Sequence, residues 1–136
     1  AAGDIILATL DTHTPDYLNT AEGRALPVTH CVQGTEGWAL QEDVKNALAG
    51  ATLIEKPTFG SLILPDEIQR LSGGTVSRIE LIGLCTDICV VSNALLLKAS
   101  FPEAEIAVHA SCCAGVTPER HRAALETMQS CQIDIL

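Results

Sequence analysis

Positive charge is scarce in this sequence: eight Lys and Arg stand against 17 Asp and Glu, for a net charge of −9. No run of Lys or Arg occurs, which argues against nucleic acid or an anionic membrane as a partner. No apolar stretch approaches the ~20 residues that a bilayer span requires, and no secretory leader pattern opens the sequence. The six cysteines, at 31, 85, 89, 112, 113 and 131, include no C-x-x-C pair, so a structural zinc site is not indicated. Adjacent Cys112 and Cys113 suit ordinary disulfides poorly, so reduced thiols and a cytoplasmic setting are expected. The glycines form neither G-x-G-x-x-G nor a P-loop, which gives a nucleotide site no support. Repeats, low-complexity segments and interdomain linkers are lacking, and aromatics are few: Tyr17, Trp38, Phe59 and Phe101.

What is present suits one packed domain over 1–136, since nearly half of the 136 residues are hydrophobic. Apolar runs predict strands over 4–10, 52–54, 79–84, 105–110 and 132–136. Helices are expected over 38–50, over 66–71, from Asp87 to Ala99, and from Thr117, where a capping Thr precedes Pro118 and Glu119. The inner face of the Asp87 helix reads as Ile88, Val91, Ala94, Leu95 and Ala99. The polar stretch 14–26 reads as a surface loop and 111–115 as a turn. Strands alternate with helices through the second half, the pattern of an α/β, doubly wound, mostly parallel sheet.

Four places carry chemistry. Cys89 falls in the first turn of the helix after strand 79–84, third or second in that turn according to whether Thr86 or Asp87 caps it. Free N–H groups and the helix dipole favour a thiolate there, although most buried cysteines are simply small core residues. Asn93 lies one turn later on the same side. Asp11 and His13, two apart at a strand end, point the same way and suit one divalent cation. By themselves, as D-x-H alone, they read as a solvated Asp and His in a loop. His30, in the glycine-punctuated stretch 27–37, is either a third ligand or a hydrogen-bonded structural histidine. Three ligands from two segments would leave positions open, as catalytic metal sites do. Lys56, held extended by Pro57, sits at a strand's C-terminal edge, where open α/β sheets place their sites.

Taken in order, these segments resemble the isochorismatase-like cysteine hydrolases, and within them the nicotinamidase branch. Gly83-Leu84-Cys85-Thr86-Asp87-Ile88-Cys89-Val90 is similar to the family's nucleophile motif, and Glu55-Lys56-Pro57-Thr58-Phe59-Gly60-Ser61 to its lysine motif. Asp11-Thr12-His13 with 27–37 resembles the nicotinamidase metal site, and the tail from Ser111 resembles the closing unit. The resemblance implies a three-layer α/β sandwich and a cysteine amidohydrolase that converts nicotinamide to nicotinate and ammonia, a step of NAD salvage. It gives Cys89 the role of nucleophile and Lys56 that of catalytic lysine. The backbone N–H groups of Cys85 and Cys89 become the oxyanion hole, with a cis peptide at Leu84–Cys85. Asp11, His13 and His30 become ligands of a divalent Zn, Fe or Mn ion. The partner implied is a small-molecule amide; a homo-oligomer is compatible with the sequence.

Two departures qualify this. The neighbourhood of His30 reads Leu26-Pro27-Val28-Thr29, without the aromatic residue that nicotinamidases commonly place before the metal histidine. Another small carboxamide is therefore an alternative substrate. The family's catalytic Asp stands in a V-D-x-Q-like segment on its first strand, and this sequence has no such segment. The 136-residue sequence is expected to lack one βα unit, ~30 residues, of the natural domain, and a non-catalytic member is the alternative. The 136-residue chain is expected to release ammonia weakly or not at all, and a chain extended upstream by a strand and a helix to release it faster. Turnover by the 136-residue chain equal to that of the extended one would overturn this expectation.

Overall fold

The structure is a computed structural model that describes residues 3–136; Ala1 and Ala2, the first residues of the expected domain, lie outside them. Chain contacts gather into two compact units, Ala1–Thr58 and Phe59–Leu136. In the first, β1 (Leu7–Asp11) and β2 (Thr52–Lys56) pair in parallel, from Leu7 opposite Thr52 to Asp11 opposite Lys56. β2 runs two residues further than its apolar run, because Glu55 and Lys56 still pair with Leu10 and Asp11. Its side chains alternate, with Ile54 and Lys56 buried and Leu53 and Glu55 exposed.

The expected loop over 14–26 is corrected by the structure. It holds a 3₁₀ turn, Tyr17–Asn19, and a short helix, α1 (Ala21–Ala25). Thr20 caps α1 by accepting from the Gly23 N–H at 2.9 Å. Gly23 lies so close to the preceding turn that an added Cβ would stand 2.0 Å from the Tyr17 carbonyl oxygen. Five residues are too few to show a helical period, so only the cap signals it. The helix expected over 38–50 is also shorter: α2 spans Glu42–Ala47, is capped by the Gln41 side chain and buries none of its residues.

In the second unit β3 (Arg78–Leu84), β4 (Glu105–Ala114) and β5 (Asp134–Ile135) form a parallel sheet in that order. The α/β class and the parallel pairing are those the sequence predicts; the described strands pair as two sheets. β4 lies in the middle, and Ile106, Ala107 and Val108 are buried on both of its faces. It continues through the expected turn at 111–115. Leu81 pairs with Val108 but Gly83 with Cys113, so a bulge takes up the extra β4 residues and pairing resumes beyond it. Gly83, at φ 122°, supplies the conformation that β3 needs there.

Helix α3 spans Leu64–Ser72 and ends on Gly73 in the left-handed region. Helix α5 (Pro118–Ser130) starts as expected, with Thr117 accepting from the Arg120 N–H at 3.2 Å. It turns Ala124 and Met128 inward, where they belong to a core with Ala94, Leu97, Ile106 and Ile133. The helix after β3 differs from expectation. It opens as a π-helical turn, Thr86–Val90, and becomes α-helical only in α4 (Val91–Ser100). The wider turn rotates the helix, so the buried face is Val90, Asn93, Ala94 and Leu97, while Ala99 is exposed.

Candidate metal centre and nucleophile turn

The end of β1 organises the first unit's polar cluster. Asp11 is directly opposite Lys56 in the β1–β2 register, and the Thr12 N–H donates to the Lys56 carbonyl at 2.9 Å. Lys56 is buried, at 2% exposure, and its ammonium donates to Asp11 Oδ1 at 2.9 Å and to the Thr58 carbonyl at 3.0 Å. The other Asp11 oxygen, Oδ2, faces His13 Nε2 at 3.5 Å and His30 Nε2 at 3.6 Å. His30 is brought there by a short parallel bridge between His13 and Val32. Cys31, in the left-handed region at φ 46°, turns the chain so that its carbonyl accepts from the His13 N–H at 2.9 Å.

A fourth group joins these three. Glu22 Oε1, on α1, lies 3.5 Å from His13 Nε2 and 3.9 Å from His30 Nε2. Nothing in the sequence pattern marked it, beyond an acid two residues after a capping Thr. The four donor atoms lie within 4.8 Å of one another. Tetrahedral bonds of ~2.0–2.2 Å have edges of about 3.3–3.6 Å, so the spacing suits one divalent ion. The tautomer suits it too: His30 Nδ1–H donates to the Val28 carbonyl at 2.7 Å, which leaves Nε2 as the free lone pair. His13 Nε2 is buried and has no hydrogen-bond partner. Such an atom is costly unless something binds it. Two carboxylates against one ammonium also leave the cluster with charge to spare for a cation. The donor set therefore fits a metal ion.

Tyr17 walls the cluster. It is fully buried, its ring centroid lies 4.6 Å from His13 and 5.0 Å from His30, and its hydroxyl donates to the Leu26 carbonyl at 3.0 Å. Burial, followed by the charges of Glu22 and Asp11, pushes its phenol above the usual range, so it stays neutral.

The second unit carries the cysteine pair. The peptide Leu84–Cys85 is cis, as the resemblance implies. Cys85, rather than Thr86 or Asp87, is the capping residue, and its carbonyl accepts from the N–H groups of Ile88 and Val90, both at 3.1 Å. Cys89 is thus the fourth residue of the turn and half-buried. Side chains pin this turn to the start of α5. The Thr86 hydroxyl and His121 Nδ1 share a hydrogen bond of 2.8 Å, and Asp87 Oδ1 accepts from the Val116 N–H at 2.9 Å. Gly115 makes room: an added Cβ would come within 2.8 Å of the His121 nitrogen and 2.9 Å of Asp87 Oδ1. Cys113, opposite Gly83, has its thiol pushed up by burial, so it does not compete as a thiolate. The sequence-predicted residues thus gather as two sets, Asp11, His13, His30 and Lys56 in one unit and Cys85 and Cys89 in the other.

A family profile described as the isochorismatase domain matches residues 2–136. No curated protein matches the chain. Among solved structures it is similar to a nicotinamidase/pyrazinamidase from Bacillus subtilis, with a TM-score of 0.82, 25% identity, and coverage of 98% of this chain and 75% of that one. It is also similar to a pyrazinamidase from Pyrococcus horikoshii in complex with zinc, with a TM-score of 0.74, 29% identity, and coverage of 97% and 74%. A pyrazinamidase/nicotinamidase from Streptococcus mutans, at 24% identity and a TM-score of 0.81, with 98% of this chain and 76% of that one covered, shows the same fold.

Breaking a buried ion pair from one side costs ~3–5 kcal/mol. Asp11→Asn takes the Asp11 carboxylate away from the buried Lys56 ammonium. In denaturant titrations the variant is expected to lose about 3 kcal/mol; a loss below about 1 kcal/mol, the level of an exposed pair, would refute a structural role for the bridge.

Proposed function

This chain belongs to the isochorismatase family of hydrolases, and from that premise we propose that it is a nicotinamidase-like cysteine amidohydrolase. The observation that carries this reading is the Asp11, His13, Glu22 and His30 cluster. The family's ether-cleaving branch lacks a metal set, and a buried, unpartnered His13 Nε2 has a use in an amidase of the metal-dependent branch. The likeness to a nicotinamidase/pyrazinamidase at 25% identity and to a pyrazinamidase at 29% supports the same reading.

In the proposed reaction Cys89, as thiolate, attacks the carbon of a small carboxamide. The oxyanion is held by the backbone N–H groups of Cys85 and Cys89; donors of this kind contribute ~10²–10³ in rate. On collapse the proton given up by the Cys89 thiol passes to the leaving nitrogen, so the thioester forms and ammonia leaves; water then cleaves the thioester to the acid and returns the thiol. By the motif match, Lys56 takes the family's role of charge partner to the thiolate. Asp11, His13, His30 and Glu22 would hold the divalent ion, which supplies a Lewis-acid contact for the ring nitrogen of a substrate such as nicotinamide, or for a water beside it. Zn, Fe and Mn all suit this N/O donor set. A non-catalytic member, which would bind the amide without releasing ammonia, is the second reading.

Two measurements test these assignments. Ammonia release from nicotinamide by the zinc-, iron- or manganese-loaded protein, in the chain extended upstream by a strand and a helix, is expected to exceed that of its Cys89→Ala variant. Release no greater than the variant's with any of these metals rejects the amidase reading in favour of the second. After chelation and reconstitution, one equivalent of divalent metal is expected per chain, falling to background in the triple alanine variant of Asp11, His13 and His30. Metal retained by that variant refutes the ligand assignment.

A further inference from the structure

The side chain of Asn93 has no part in the reaction above, yet it is the most fully engaged polar group near Cys89. It is buried, at 5% exposure, inside α4. Its Nδ2 donates to the Cys89 carbonyl at 3.0 Å and to the Phe59 carbonyl at 3.4 Å, and its Oδ1 accepts from the Ser61 N–H at 2.8 Å. One carboxamide thus uses both donors and its acceptor on main-chain groups of two segments. The loop over 59–61 seats closely on α4: an added Cβ at Gly60 would stand 3.5 Å from Ser92 Cβ.

The bonds to the turn have a specific cause. A π turn that runs into an α-helix changes hydrogen-bond register at the junction, so carbonyls there depart from the regular ladder. Two side chains from the first turn of α4 reach back to those carbonyls. Ser92 Oγ donates to Ile88 at 2.6 Å, and Asn93 Nδ2 donates to Cys89. Back-bonding of this kind sets the local bend of a helix. Here it sets the position of the carbonyl of the proposed nucleophile itself.

Resting on the proposed function, we infer that Asn93 is a positioning residue: through the Cys89 carbonyl it holds the nucleophile's turn in the geometry in which the positive end of the helix favours a thiolate. A group that only filled the core would act otherwise. Loosening the core makes a thiol more accessible and its alkylation faster, whereas losing the turn's geometry removes the thiolate's stabilisation and makes it slower.

The test is alkylation of Cys89 by iodoacetamide at neutral pH in the full chain, followed by mass spectrometry of its peptide, with exposed Cys112 and Cys131 as internal references. Asn93→Ala is expected to slow Cys89 about tenfold relative to the references, a misplacement effect. Asn93→Thr, whose hydroxyl can remake the bond to Cys89 while dropping those to Phe59 and Ser61, is expected to restore most of the rate. Should Asn93→Ala fail to fold by circular dichroism, Asn93→Thr decides alone: a rate near the parent's supports the inference and a tenfold loss overturns it. An Asn93→Ala protein that alkylates Cys89 at the parent's rate or faster overturns it as well. If Cys89 in the parent reacts no faster than Cys112 and Cys131, the nucleophile assignment fails first and this inference with it.

Discussion

A single carboxylate holds the first unit's chemistry in place. Asp11 gives one oxygen to a buried ammonium and turns the other toward two imidazoles. It does so because β1 and β2 pair in parallel with Asp11 opposite Lys56. Parallel strands present their C-terminal ends together, so a residue at each end reaches the same place without any loop having to carry it there. The rest of the cluster then assembles around a point that the sheet has already defined. The segment bearing His30 joins by a short bridge to His13, and α1 brings Glu22 in by packing on the Tyr17 turn.

The second unit solves a different problem with similar economy. A cysteine that is to be nucleophilic needs N–H groups near its sulfur and a fixed backbone, and it must remain reachable. Cys89 lies in a π turn that opens the helix, with Cys85 as the extended residue that caps it. Fixation comes from Thr86, Asp87 and Asn93, each of which spends its side chain on a neighbouring segment. Cys89 itself stays half-buried. Gly115 belongs to the same arrangement, since it lets the start of α5 and the Asp87 side chain approach closely.

Both sets of residues were legible because the motifs that carry them are each short and local in sequence. Asp11 and His13 share a strand end, Lys56 precedes a proline that keeps it extended, and Cys89 follows an apolar strand and a capping turn. Local rules of period, capping and turn chemistry reach over such distances. Glu22 was not legible for the opposite reason. It lies in a segment whose Pro, Gly and Asn content argues for a loop, on a helix of five residues that exists because Thr20 caps it and Gly23 fits against Tyr17. The capping residue was missed in a similar way. Propensity favours Thr86 or Asp87, but both side chains are committed elsewhere, to His121 and to Val116.

By itself the sequence determined the α/β class, the order of strands and helices outside 14–26, and most of the residues able to do chemistry, because apolar period and short motifs are local properties. Tertiary structure alone decided the rest. It brought Glu22 to the histidines, left His13 Nε2 buried without a partner, and divided the Asp11 carboxylate between Lys56 and the imidazoles. It also widened the turn under Cys89 and gave Asn93 its three bonds. Each of these depends on atoms far apart in the chain meeting at hydrogen-bond distance, which only packing can arrange.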